Sequence, residues 1–357
     1  MPHYQFVDQP DAMTPHLTGH DHVGVDTEFM REKTYFAQLC LVQIATSDEI
    51  FCVDPLTQNS QEKFWRDLFA RDWIAHSARQ DIEVVSQTAG SMPVSIFDTQ
   101  IAAGLLGYPA QMGYAGLVKD LFEVDMAKSH TRADWTKRPL RAAYLEYAAE
   151  DVLYLLPAYE LLGERLDNEG RLEWAREDSR LLLDPQLYDI GADQALDRLK
   201  GARNFRGRKR AAAARLASWR EREAIGRNRP RQWILRDTVL LEIAYRLPGS
   251  ESELAAIEGM PPKLLSRAGK DLLQAVAAAS ADEHDYSPPR PPDEEQKALL
   301  KAMQARVQRC ADELGIAAET VASKRELAAV IVSDSRDSRV FSGWRSDLIG
   351  NDLLALL

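Results

Sequence analysis

The sequence predicts an α/β domain, a mixed sheet flanked by helices, followed by two small all-α helical domains. Three observations carry that reading. Over the first 185 or so residues, short β-branched and aromatic runs alternate with segments of helical spacing. Beyond them the strand signals vanish. A Pro-rich acidic stretch, "ADEHDYSPPRPPDEE", then divides the helical remainder as a linker would. The expected boundaries are an α/β domain over residues 1–200, a helical domain over 201–284, a Pro-rich linker over 285–292 and a second helical domain over 293–357. A chain of 357 residues suffices for two or three domains.

Taken in order, "HVGVDTEFM" begins as a half-buried strand and ends on two acids, Asp26 and Glu28. "FAQLCLVQIA" and "EIFCVD" read as two further strands, and the short link "TSDE" predicts an antiparallel hairpin between them. "SQEKFWRDLFA" has apolar residues at helical spacing. "WIAHSARQDIEVVSQ" and "SIFDTQIAAGLLG" each give a short strand running into a helix. From Leu140 to Leu166 the pattern is strongly helical, with Pro157 marking a break or kink. The later helices are "KRAAAARLASWREREAIGRN", "DTVLLEIAYRL", "SELAAIEGM" and "KLLSRAGKDLLQAVAAA", followed by a block from Glu294 to Leu357. Capping-box spacing at Ser250 and Glu253, and again at Ser323 and Glu326, marks two helix starts.

Composition narrows the function classes. A hydrophobic content of 45% with ordinary Gly and Pro counts describes a folded protein, not a disordered or fibrous one. The N-terminus lacks a basic region followed by an apolar core, so no secretory signal is expected. The longest uncharged run, Thr99 to Val118, is interrupted by Gln, Pro and several Gly, so no membrane span or membrane partner is expected. Cys40, Cys52 and Cys310 form no C-x-x-C pair, which argues against a disulfide framework or a zinc site and fits a reducing, cytoplasmic setting. No G-x-x-x-x-G-K-[ST] loop occurs, so neither a nucleotide cofactor nor a helicase motor is expected; "GKD" at Gly269–Asp271 lacks the hydroxyl residue.

The net charge is −11, but its distribution is uneven. Between Arg198 and Arg236 stand fourteen Lys and Arg against Glu221 and Glu223, a local balance of +12 that leaves −23 on the rest of the chain. Such a segment is either a polyanion footprint or a solvated basic face.

The acids carry the chemistry. Asp26 and Glu28 alternate on one strand face while Thr27 points to the other and contributes chiefly backbone. A D-x-E triplet alone leaves metal binding and a solvated strand end both open, since Asp167–Glu169 and Asp293–Glu295 repeat it in ordinary settings. Asp81, near a helix start after a short strand, is brought by the topology to the same end of the sheet. Tyr147 and Asp151 are four apart and project from one helix face. Four carboxylates from three segments suit two divalent ions, Mg²⁺ or Mn²⁺, which take hard oxygen ligands. A phenol beside them is a poor base at neutral pH but can orient an attacking water.

In order and context, "VDTEF", "HSARQD", "WTKRPL" and "YAAEDVLYLLP" resemble the ribonuclease D family of the DEDD exonuclease superfamily, and the Tyr four before the last Asp resembles its y subtype. The resemblance implies a ribonuclease H-like exonuclease fold in which Asp26, Glu28, Asp81 and Asp151 ligate two metal ions and Tyr147 positions the water. It also implies that Glu28 and the backbone near Thr27 meet the terminal 3′-hydroxyl. His76 and Arg138 match family positions and are expected as substrate contacts, with a structural histidine and a helix-start "RPL" as the competing readings. "LASWREREAIGRNRPRQWILRDTVLLEIAYRLPGSESELAAIEGM" resembles an HRDC domain, and "ASKRELAAVI" with "GWRSDLIGNDLLALL" resembles the family's second, more divergent HRDC-like domain. These modules imply help in binding structured RNA; Trp219, Trp233 and Trp344 within them are expected to be core residues.

The function expected is therefore a metal-dependent 3′-to-5′ exoribonuclease that trims tRNA precursors and other small RNAs to nucleoside 5′-monophosphates, acting as a monomer. A 3′-to-5′ DNA exonuclease and a non-catalytic RNA-binding scaffold are the alternatives.

Overall fold

The computed structural model describes residues 2–57, 60–126, 133–188, 191–282, 284, 293–333 and 336–357; the expected linker at 285–292 lies outside them. The described chain divides into two units, one of Met1–Met30, Gln38–Asp184 and Pro292–Leu357, the other of Arg31–Ala37 and Pro185–Pro291.

The first unit is built on a mixed six-stranded sheet. Its strands are β1 (Tyr4–Val7), β2 (His22–Met30), β3 (Gln38–Ala45), β4 (Ile50–Val53), β5 (Asp72–Ala75) and β6 (Ser95–Asp98), in the order β1-β4-β3-β2-β5-β6. β3 and β4 form the antiparallel hairpin that the short link predicts, β2 is also antiparallel to β3, and β5, β6 and β1 join in parallel. β3 is buried from Leu39 to Ala45, which its near-continuous apolar run requires of a central strand. β1 has no counterpart in the sequence reading: "YQFV" is short and half polar, and it becomes a strand because β4 offers it an edge.

Helices cover both faces. Those used below are α1 (Glu62–Phe69), α2 (Arg79–Ala89), α3 (Thr99–Leu105), α4 (Tyr114–Phe122), α5 (Ala142–Leu153), α6 (Leu155–Asn168) and α7 (Leu172–Arg180). The break expected at Pro157 falls at Tyr154, between α5 and α6, and Pro157 sits in the first turn of α6, where a missing N–H costs no helical bond. Gly24 sets how near that helix pair comes. A Cβ at Gly24 would stand 3.2 Å from the Leu155 Cβ and 3.3 Å from the Ala45 Cβ, so only the bare backbone lets α6 start directly on β2.

The last helical block belongs to this unit. α11 (Glu294–Leu314) opens on a capping box between Asp293 and Gln296, and α12 (Lys324–Ser333) is preceded by the reciprocal Ser323–Glu326 box. The block is fastened to α7 through a buried knot. Arg345, 1% exposed, pairs both carboxylate oxygens of Asp178 at 2.5 and 2.7 Å, and Trp344 stacks on Trp174 with centroids 4.6 Å apart.

The second unit is helical, with α8 (Gly207–Gly226), α9 (Asp237–Arg246) and α10 (Pro262–Ala278) around an Ala- and Leu-rich core. Ser250 caps the short helix Glu251–Ala255, but the Glu253 carboxylate turns to the Gly249 N–H, not to Ser250. At the centre lies Glu221, 1% exposed, bound by Arg231, Arg198 and the Tyr35 hydroxyl. Among the described residues no helix is long and apolar enough to cross a membrane. Cys40, Cys52 and Cys310 are free and buried.

Candidate active site

Three elements of the first unit bring the acids together. β2 carries Asp26 and Glu28 on the face it turns to α5 and α6; α2 carries Asp81 in its first turn; α5 carries Tyr147 and Asp151. Their proximity shows in the charges that bear on Asp26 and Glu28. Burial first, then Asp81, Asp151 and Glu28, push the Asp26 carboxyl well above the usual range. Burial, then Asp151 and Asp81, push Glu28 up to about 8. Burial also raises Asp81 and Asp151, opposed in each case by a hydroxyl that favours the charged form: Thr27 on Asp81 and Tyr147 on Asp151. Two carboxylates, Asp26 and Glu28, whose affinity for protons is raised by burial and by the Asp81 and Asp151 beside them, form with those two a site for positive charge.

Thr27 differs from expectation. Its side chain does point away from Asp26, but it is buried and its hydroxyl donates to Asp81 Oδ1 at 2.5 Å. It thereby ties β2 to α2, so its contribution is not chiefly backbone. The Tyr147 hydroxyl donates to Asp151, while its ring lies 6.4 Å from that of Trp135.

His76 and Arg138 are turned to the protein's own groups, contrary to a substrate-facing reading of their side chains. Both ring nitrogens of His76 are engaged at 2.9 Å, with Thr99 Oγ1 and the Met112 carbonyl, and burial pulls its pKa down. Arg138 grips Asp54 with two donors at 2.5 and 2.7 Å and also donates to the carbonyls of Cys40 and Trp135. A fork that chelates a carboxylate has few donors left for phosphate.

Two further residues shape the site. Asp98, 2% exposed, accepts from the backbone N–H groups of Ser77, Ala78, Gln100 and Ile101; it caps α3 and holds the turn that launches α2 and Asp81. The sequence signal was an acid between a strand and a helix in "FDTQ". Tyr114 of α4 is raised by burial and by its nearness to Asp151 and Asp26, and its oxygen accepts from the Tyr154 N–H at 3.0 Å. Nothing local in "GYAGL" distinguishes it from a core tyrosine.

The donor set fits hard divalent cations: four carboxylates, with no thiolate or free imidazole among them. Among the described residues no three His, Cys, Asp or Glu side chains are placed so that they could hold a metal ion as they stand; the fit rests on the donor chemistry and on the charges that Asp81 and Asp151 bring to Asp26 and Glu28.

A family model described as 3′-5′ exonuclease matches residues 5–167, and one described as HRDC domain matches residues 209–276. The ribonuclease D of Acidiphilium cryptum is 36% identical over 97% of this chain and 90% of its own length. That of Gluconacetobacter diazotrophicus is 36% identical over 94% of this chain and 87% of its own. The chain belongs to the ribonuclease D family. The crystal structure of Escherichia coli RNase D, an exoribonuclease involved in structured RNA processing, superposes with a TM-score of 0.89 at 27% identity, covering 99% of this chain and 98% of that one. As a ribonuclease D family member the chain is a 3′-5′ exonuclease-domain enzyme, and the exonuclease fold of the family is metal-dependent.

The helical unit shows what the basic segment does. Arg210 and Arg220 are buried, Arg220 on the Leu235 carbonyl and Asp237; Arg198 and Arg231 serve Glu221; Arg215 pairs with Asp282 and Arg227 with Glu223. Of these carboxylates only Asp237 and Asp282 lie outside the counted stretch, so most of the +12 remains after pairing, and Lys200, Arg203, Arg206, Arg208 and Arg236 are among the cations left on the surface. Trp219 and Trp344 are core residues as expected. Trp233 is not: it is 59% exposed, with the Arg229 guanidinium 5.9 Å above its ring.

Proposed function

We propose that this family member trims the 3′ ends of tRNA precursors and other small structured RNAs one nucleotide at a time, releasing nucleoside 5′-monophosphates with the help of two Mg²⁺ or Mn²⁺ ions. The observation that carries the reading is the convergence of Asp81 and Asp151 on the two acids of β2, Asp26 and Glu28, whose carboxyls they help to push up, beside the Tyr147 hydroxyl that bonds Asp151.

Each residue then has a distinct task. Asp26, Glu28, Asp81 and Asp151 hold the cations. Bound there, divalent ions supply the Lewis-acid charge that phosphodiester hydrolysis needs. Tyr147 donates its hydroxyl proton to Asp151 and orients the attacking water by its oxygen lone pair, because a phenol does not deprotonate at neutral pH. Thr27 and Asp98 keep Asp81 in place, and Glu28 with the Thr27 backbone meets the terminal 3′-hydroxyl. Water adds to phosphorus, the bond to the preceding 3′ oxygen breaks, and that oxygen leaves with a proton. RNA as the substrate is favoured by the full-length match to ribonucleases and by the HRDC match at residues 209–276.

The test is purified full-length protein with end-labelled RNA bearing a 3′ extension, in Mg²⁺ or Mn²⁺ against an EDTA control, with a matched DNA strand. Stepwise shortening to mononucleotides that stops in EDTA and in Asp26→Asn or Asp151→Asn is expected. Internal cleavage, turnover in EDTA, or wild-type turnover by either variant would overturn the reading; faster digestion of the DNA would move the substrate.

A further inference from the structure

Inside β3, among Leu39, Cys40, Leu41, Val42, Ile44 and Ala45, stands one amide. Gln43 is fully buried, and neither its Nε2 nor its Oε1 has a hydrogen-bond partner among the described residues. A buried amide without partners is costly, and any of its apolar neighbours in the strand would be the more stable occupant. The polar group at this position therefore calls for a reason outside the packing of the sheet.

The register supplies one. Gln43 lies directly opposite Asp26 on β2, and directly opposite Cys52 on β4. Directly paired residues of an antiparallel ladder project from the same face with Cβ atoms roughly 4.5 to 5.5 Å apart. That face is the one turned to α5 and α6: the Cys52 thiol approaches the Leu145 carbonyl at 3.8 Å, and Gly24, two residues before Asp26, lies against Leu155. Gln43 is thus the nearest side-chain neighbour that β3 offers Asp26, on the floor beneath the helix that carries Tyr147 and Asp151.

We propose that Gln43 is a positioning residue of the exonuclease site: through one buried water its amide holds the Asp26 carboxylate in the orientation that receives a divalent cation. Its N–H groups match an ionised carboxylate, and a water lodged between Gln43 and Asp26 gains the polar partners that buried waters require. Groups of this kind behind a metal ligand set its orientation, and their loss typically weakens metal binding about 10- to 100-fold. The inference rests on the cation-binding reading of Asp26.

The experiment is calorimetric titration of Mn²⁺ into chelator-stripped full-length protein, as wild type, Gln43→Leu, Gln43→Met and Asp26→Asn, with melting temperatures of the metal-free forms. Expected are folded Gln43→Leu and Gln43→Met proteins, metal-free melting temperatures equal to or above wild type, and Mn²⁺ affinities about 10- to 100-fold weaker. Wild-type Mn²⁺ affinity in both variants would overturn the proposal, whatever happens to stability. So would failure of both to fold, since the amide would then be needed for the sheet itself. No Mn²⁺ binding by the wild type, or undiminished binding by Asp26→Asn, would instead sink the cation reading of the acids.

Discussion

The Thr27 hydroxyl donates to Asp81 Oδ1 at 2.5 Å, joining the strand that bears two acids of the site to the helix that bears a third. Thr27→Val keeps the branched shape of a strand residue and deletes only this donor. A hydrogen bond to a charged group contributes about 1.5 to 3 kcal/mol. Because burial already disfavours the Asp81 charge, its carboxyl should rise further when the donor goes. Turnover at neutral pH should fall on the order of 10-fold and recover in part at higher pH. A flat ratio of variant to wild-type rates across the pH range would mean that Thr27 serves packing alone.

Tyr147→Phe preserves the ring against Trp135 and removes the hydroxyl on Asp151. Turnover should drop on the order of 10²-fold, the lower end of what a positioned proton-handling group contributes. RNA affinity and melting temperature should hold. Rapid single-turnover measurements separate the chemical step from binding, and a variant within about two-fold of wild type would remove Tyr147 from the reaction.

The crowded acids also make stability depend on pH and metal. Glu28 is held up at about 8 in the folded chain against about 4.5 when exposed, and Asp26 is raised as well. Between those values the folded state keeps protons that the unfolded state has lost. The associated stabilisation is complete below about pH 4.5 and gone once pH passes about 8. In EDTA the melting temperature should fall as pH rises through that window, and saturating Mg²⁺ should flatten the decline by compensating the charge. Parallel curves with and without Mg²⁺ would contradict the coupling.

Asp178 and Arg345 form a buried pair, 6% and 1% exposed. Removing one partner of such a pair strands a charge and costs about 3 to 5 kcal/mol, whereas replacing both by apolar residues is often neutral. Asp178→Ala should therefore lower the denaturation midpoint sharply, and Asp178→Leu with Arg345→Met should restore most of it. Equal loss in the single and double variants would show that shape, not charge, decides this seam.

Much of the fold was legible because it is local. The hairpin β3–β4, the strand-to-helix passages into α2 and α3, and the Ser323–Glu326 box follow from neighbours in the chain. The residues gathered at the candidate site were legible because each sits in a short motif with fixed spacing. Misreadings came from residues whose partners are distant. Arg138 looked like a phosphate contact because Asp54, 84 positions away, is invisible to a motif. His76 hid its two partners in the same way. Gln43 draws no notice in the strand "FAQLCLVQIA", because only the register sets it opposite Asp26. Trp233 reads as core because aromatic content alone does not tell which ring is left outside.

The knot between Trp344–Arg345 and Asp178 closes a loop of 167 residues, so the sheet that bears the acids shares its packing with residues synthesised long after it. During translation the strands and α7 emerge long before their final covering does. A chain cut short after the HRDC match would carry every acid of the site but lack the Arg345 that pairs with Asp178 and the Trp344 that stacks on Trp174. The acids of the site are in this sense complete in sequence well before the packing behind them is complete in structure.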